Sequence, residues 1–172
     1  MKLTNRDAKI INFIENNKGA TIVQLQKIFF PSYDMAAKRL KKLENNKLIK
    51  SQIQPTLGKK VYYLSKLPSF HSLVITDVTI LLRDKIKFMQ REYKIKNNYV
   101  DCIFILEDGK TIILEVDIYN MTKEKKIKEV LESLTEIKTR IEFWIVCKYE
   151  RRNKIKGIRY IKMDELKSLN KL

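Results

Sequence analysis

The sequence predicts an α+β protein in two parts. A small helical domain closed by a hairpin spans residues 1–67, and an α/β domain on a mixed sheet spans 68–172. Three observations carry this. Apolar stripes at helical spacing fill the first third and end in two strand-like runs around Pro55-Thr56-Leu57-Gly58. The remainder alternates helical stripes with β-branched and aromatic runs, the pattern of helices packed on a sheet. The charge is also uneven: residues 1–66 hold 14 Lys+Arg against 4 Asp+Glu, a net of +10, whereas the longer remainder holds 22 against 16, a net of +6.

The total charge of +16 points to a polyanionic partner, and double-stranded DNA is the first expectation. An anionic membrane is the competing polyanion, but no apolar run approaches the roughly 18 residues of a spanning helix. The opening MKLTNRDAKIINFI lacks the layout of a secretory leader, so a cytoplasmic protein is expected. Cys102 and Cys147 each lie inside an apolar run, VDCIFIL and FWIVCKY, and read as buried thiols of a reducing compartment.

In the first part, Thr4 or Asn5 can cap a helix through Ile10, Ile11, Phe13 and Ile14, stopped by Asn16-Asn17-Lys18-Gly19. Thr21 opens a second helix through Val23, Leu25, Ile28 and Phe29, ended by Pro31. Ser32 caps a third, whose inward stripe is Ala36, Leu40 and Leu43. The run LIKSQIQPTLGKKVYYLS then forms a hairpin. Three short helices and a hairpin make the order of a winged helix-turn-helix. Ser32, Asp34, Met35, Lys38, Arg39, Lys41 and Lys42 form the face expected to meet a major groove, and Lys59 and Lys60 of the wing are placed to touch the backbone. The lysines mainly hold phosphates, so no operator sequence can be read from them. The bland alternative is a solvated helix face.

In the second part, FHSLVITDVTILLRDKIKFMQREY puts His71, Val74, Ile75, Val78, Leu81 and Leu82 on one helical stripe. YVDCIFILEDGKTIILEVDIY reads as two strands joined at Asp108-Gly109. Ile127, Val130, Leu131, Leu134 and Ile137 mark a helix over about 122–139. EFWIVCKY is a buried strand, GIRYIKM a further strand, and MDELKSL a closing helix. The order α-β-β-α-β-β-α is similar to the core of the restriction-endonuclease-like, PD-(D/E)xK fold. There one strand carries an Asp and the next a Glu-x-Lys, and the carboxylates ligate Mg²⁺. Here the acids are Asp101, Glu115 and Asp117, hard oxygen ligands suited to Mg²⁺ or Mn²⁺.

Register decides whether these acids can meet. A two-residue loop at Asp108-Gly109 pairs Asp101 with Val116 and points it away from Glu115. A three-residue loop, Glu107-Asp108-Gly109, with the glycine left-handed, sets Asp101 across from Glu115. Asp117 stands where a nuclease would carry lysine, so Lys123 is the expected charge stabiliser and Lys126 the second choice.

Leu67-Pro68, His71 and Asp77, a strand Asp and the run LEVD, in a chain opening with a winged helix, resemble the replication-relaxation family of Gram-positive plasmids and mobile elements. That family is similar to conjugative relaxases of the MobC type. The resemblance puts the family's strand Asp on Asp101, its Glu-x-Asp on Glu115 and Asp117, and its helix His on His71. It departs where Val100 replaces the usual proline. A core role for His71 competes with a catalytic one, and Tyr99 and Tyr119 are weak candidates for a relaxase nucleophile. Two functions stay open. One is a metal-dependent DNA-nicking enzyme of replication or mobilisation that meets replication or conjugation proteins. The other is a non-catalytic accessory factor or repressor whose α/β domain forms a homodimer or recruits a partner.

Overall fold

The structure, a computed structural model, describes residues 2–135 and 139–167. The chain divides into two compact units, Met1–Ile80 and Leu81–Leu172.

The first unit contains α1 (Asn5–Asn16), β1 (Ala20–Thr21), α2 (Ile22–Phe29), α3 (Tyr33–Asn45), β2 (Lys50–Gln54) and β3 (Lys59–Tyr63), followed by most of α4 (Phe70–Leu82). The expected caps are present. Thr4 closes a reciprocal capping box with Asp7, Thr21 does so with Gln24, and the Ser32 hydroxyl accepts from the Met35 N–H. Each satisfies backbone donors that a helix start leaves unpaired. The core joins Ile10 and Ile14 to Leu25, Phe30, Ala36, Leu40, Leu43, Ile49 and Tyr62. The hairpin expected at Pro55–Gly58 forms, and β3 also pairs with the two-residue β1, giving the order β1-β3-β2. Nothing in the sequence reading marked β1: two residues show no period.

An ion pair fastens α1 to α3. The Arg39 guanidinium donates to both carboxylate oxygens of Asp7, whose side chain is fully buried. The Arg39 bonds hold the Asp7 carboxyl well below the usual carboxylate range, outweighing its burial.

The division at Ile80/Leu81 falls beyond the expected 67/68 and leaves most of α4 in the first unit, to which it is bonded. The Gln24 amide donates to the Leu73 carbonyl and to Asp77 Oδ1, both at 2.9 Å. Gly19 sits so close to Pro68 and the Tyr62 carbonyl that a Cβ there would lie 2.7 Å and 2.9 Å from them. Its φ of +142° is also one that glycine favours.

The second unit is a five-stranded mixed sheet in the order β4-β5-β6-β7-β8: Ile86–Ile95, Asn98–Leu106, Thr111–Asp117, Ile141–Cys147 and Ile158–Lys162. The first three strands are antiparallel, and β6, β7 and β8 are parallel. Helix α5 (Glu124–Glu132) connects β6 to β7. Its Ile127 and Val130 pack on Ile113, Phe143, Ile145 and Cys147 of the sheet. Residues 112–118 are all buried, so β6 is the strand around which the unit closes.

Three expectations are corrected. The helix expected to run from 70 into the low nineties ends at Leu82. A short 3-10 turn over Arg83–Lys85 follows, and residues 86–95 form edge strand β4. Charged side chains exposed along β4 left little apolar period to read, and its pairing with β5 decides its conformation. Helix α5 is shorter than 122–139; Ile137 lies outside the described residues. The closing helix is seen as a 3-10 turn at Glu165–Lys167, and residues 168–172 lie outside the described part. Cys102 and Cys147 are buried free thiols, and burial pushes the Cys102 thiol up to about 12. Among the described residues, no helix is long and apolar enough to cross a membrane.

Replacing Asp7 with Asn should cost roughly 3 kcal/mol in chemical denaturation, from the lost ion pair and a weakened capping box. Because the folded carboxyl is depressed, its contribution is complete above the ordinary carboxylate range and fades as pH falls below it. The wild-type advantage over Asp7→Asn should therefore shrink in acid.

Candidate active site and nucleic-acid face

The turn after β5 is the three-residue form. Gly109 has φ +81°, its N–H donates to the Leu106 carbonyl at 3.0 Å, and the Leu106 N–H donates to the Lys110 carbonyl at 2.8 Å. The ladder then pairs Ile105 with Thr111 and runs to Cys102 opposite Leu114. One further step in that register puts Asp101 across from Glu115, on the sheet face that α5 covers. Beyond Cys102 the Asp101 side chain takes over the ladder: its Oδ2 accepts from the Val116 N–H at 2.7 Å.

Glu115 is buried, and its carboxyl is pushed up to about 7. Desolvation is the main cause and the Asp101 charge the second; Lys126 opposes both. Lys126 Nζ lies 2.6 Å from Glu115 Oε1. Lys126, and not Lys123, is therefore the cation at this carboxylate. Lys123 occupies the N-cap of α5, is exposed, and forms no ion pair among the described residues.

Asp117 belongs to a neighbouring network. Its Oδ1 accepts from the Thr122 N–H at 2.9 Å and the Thr122 hydroxyl at 2.6 Å. Its Oδ2 accepts from Arg151 at 3.3 Å, and Arg151 also donates to the Thr122 carbonyl at 2.5 Å. Thr122 Oγ1 stands 3.3 Å from Glu115 Oε2, linking the two acids. Arg151 was missed by sequence reasoning. No local spacing joins it to Asp117, which lies 34 residues earlier.

Among the described residues no group of three or more His, Cys, Asp or Glu side chains is gathered for a metal ion. The expected trio is thus divided: Asp101 and Glu115 come together, whereas Thr122 and Arg151 engage Asp117. The pair itself fits a divalent cation. Two hard oxygen donors stand close enough for one to raise the pKa of the other, a repulsion that a cation between them would relieve.

The first unit presents a separate basic face. Ala36, Leu40 and Leu43 are fully buried, and Ser32, Asp34, Met35, Lys38, Lys41 and Lys42 are exposed, as the helical stripe required. Arg39 is committed to Asp7. Lys60 reaches Glu44 at 2.8 Å, while Lys59 is exposed. His71 is half-buried and lies in the first unit, and Tyr99 is 60% exposed at the start of β5.

No protein-family model matches the sequence, and no curated protein matches it. The resemblance to replication-relaxation proteins therefore stands on its motifs alone. Solved structures give partial likenesses. A repair endonuclease from Pyrococcus abyssi matches with a TM-score of 0.42 and 16% identity over 61% of this chain and 52% of that one. Protein VC1899 from Vibrio cholerae matches at 0.44 and 18% over 79% and 41%. An EndoMS–dsDNA2 complex matches at 0.39 and 13% over 60% and 50%. The chain spans about half of these proteins or less. Likeness this distant assigns no activity to the chain.

A raised carboxyl has the opposite pH sign to Asp7. Any contribution of Glu115 is fully present below its ordinary value of 4.5 and is lost as pH rises to about 7. In EDTA, the Tm of Glu115→Gln relative to wild type should therefore rise between pH 5 and pH 8 by a few degrees, on the order expected for ~1 kcal/mol.

Proposed function

We propose that the protein is a DNA-processing nuclease whose first unit, a winged helix-turn-helix, docks duplex DNA and whose second unit cleaves a phosphodiester bond. The observation that carries this is the meeting of Asp101, Glu115 and Lys126 on one face of the β5–β6 pair. Asp101 and Glu115 would hold a divalent cation, Mg²⁺ first. When bound, it supplies Lewis acidity toward a DNA phosphate.

The chain's own groups do the rest. The Val116 N–H holds the Asp101 carboxylate in place. Lys126 is anchored on Glu115 and brings positive charge to where charge builds on the phosphate during in-line attack. Thr122 holds the loop after β6 against Glu115 and Asp117. On α3, Lys38 and Lys42 grip phosphates, which gives affinity with little sequence information. The finer setting, nicking or relaxation of origin DNA in plasmid or mobile-element replication, rests on the motif resemblance.

A second reading follows from the divided trio. With Asp117 bonded elsewhere, the α/β unit serves as a non-catalytic dimerisation or recruitment module of an accessory factor or repressor. Incubating supercoiled plasmid with the protein and Mg²⁺ separates the two. The nuclease reading expects nicked circles, their loss in Asp101→Asn/Glu115→Gln with unchanged duplex affinity, and a fall of roughly 100-fold in Lys126→Ala but not in Lys123→Ala. No metal-dependent cleavage of any substrate would leave the accessory reading. Under both readings Lys38→Ala/Lys42→Ala should weaken duplex binding uniformly across sequences and lower the salt slope by about 2.

A further inference from the structure

At the carboxyl ends of β6 and β7 the sheet opens into two loops of unusual surface chemistry. β6 runs into Ile118-Tyr119-Asn120-Met121 and β7 into Lys148-Tyr149-Glu150-Arg151. Tyr119, Met121 and Tyr149 are 66%, 69% and 71% exposed, more than any other large hydrophobic side chain described. They border a cavity of about 150 Å³ whose inner wall is Asp117, Cys147 and Arg151. An adjoining cleft of about 720 Å³ is lined by Met121, by the acids Glu124 and Glu150, and by Arg151, Arg152, Lys154 and Lys156, with Lys154 standing 3.6 Å from Glu150.

The loops are braced. Arg151 bonds Asp117 at the end of β6 and the Thr122 carbonyl beyond it, and thereby ties the β7 loop to the β6 loop. Asp117, placed where a nuclease carries lysine, finds a use here as the anchor of that brace. The cations beside the rings are exposed. Lys148 Nζ stands 5.1 Å from the centroid of the Tyr149 ring, and Arg152 and Lys156 form no ion pair among the described residues.

Exposed tyrosine rings beside the cations Lys148, Arg152 and Lys156 suit one polymer in particular. Duplex DNA would meet the cations with its phosphates but keep its bases stacked inside, leaving the rings unused. An unpaired strand offers both partners at once: bases with open π-faces, and a phosphate for each. We propose that this surface is a stacking platform for unpaired nucleotides of a DNA strand. Its substrate class is then DNA with a single-stranded stretch beside the point of cleavage. The link to cleavage rests on the nuclease reading; binding by the platform does not.

The test uses the full chain in EDTA, so that cleavage cannot intrude. Fluorescence anisotropy would measure binding of an oligothymidylate of about 12 nucleotides and of a duplex of about 20 base pairs. Tyr119→Ala/Tyr149→Ala is expected to lose about tenfold or more in oligothymidylate affinity while holding the duplex as tightly as wild type. Tyr119→Phe/Tyr149→Phe, which keeps the rings, is expected to bind like wild type. Arg152→Gln/Lys156→Gln should lower the single-strand salt slope by about 1.4. Unchanged oligothymidylate affinity in the double alanine variant would overturn the proposal, as would an equal loss for the duplex. So would a phenylalanine pair as weak as the alanine pair, or tyrosine-dependent binding of polyglutamate in place of the oligonucleotide. The nuclease reading fails instead on absent Mg²⁺-dependent cleavage, which this measurement does not touch.

Discussion

The left-handed conformation of Gly109 is the constraint on which the candidate site depends. With φ at +81° it closes a three-residue loop, and that loop sets the register of β5 against β6. Because side chains alternate across a strand, a loop shorter by one residue would turn Asp101 to the opposite face from Glu115. The acids could still exist in the sequence, but they would not share a place. No Cβ would meet an obstacle at Gly109, so backbone torsion and not crowding explains the glycine.

Once Asp101 and Glu115 share a face, the burial of β6 sets the electrostatics. A carboxylate on a strand covered on both sides loses its hydration, and its neighbour's charge raises the cost. Lys126 and the Thr122 hydroxyl on Glu115, and the Val116 N–H on Asp101, offset this. Asp117 is treated differently: a hydroxyl, an amide and a guanidinium surround it, and it serves to fasten loops. Two carboxylates two residues apart on one strand thus face alike and do separate work.

Much of this was legible in the sequence, and the illegible parts share a cause. Capping residues Thr4, Thr21 and Ser32 act on donors within three residues, so local reading found the helix starts. The choice between two loop lengths at Glu107-Asp108-Gly109 could be framed from the sequence but not made. It depends on the register in which β5 pairs with β6, and β6, buried on both faces, shows no alternation that would reveal it. Strand β4 escaped because its exposed positions carry no apolar period, and its pairing with β5, distant in sequence from the helix it seemed to continue, sets its conformation. Arg39 was expected on the proposed DNA face, but a carboxylate 32 residues earlier engages it. Partners distant in sequence leave no spacing to read.

The choice of Lys126 over Lys123 follows from helix geometry. Lys123 is the cap of α5, so its backbone is extended and its side chain is free of the helix surface. Side chains within a helix lean toward its N-terminus, and a spot near that end is covered by a residue from further along the chain. Glu115 lies two residues before the end of β6, close to where the chain enters α5. A lysine in the first turn can lean back to it, whereas one at the cap has already passed the position from which the lean would help. The cation at Glu115 therefore comes from the helix, and position 117 holds an acid that ties the loops.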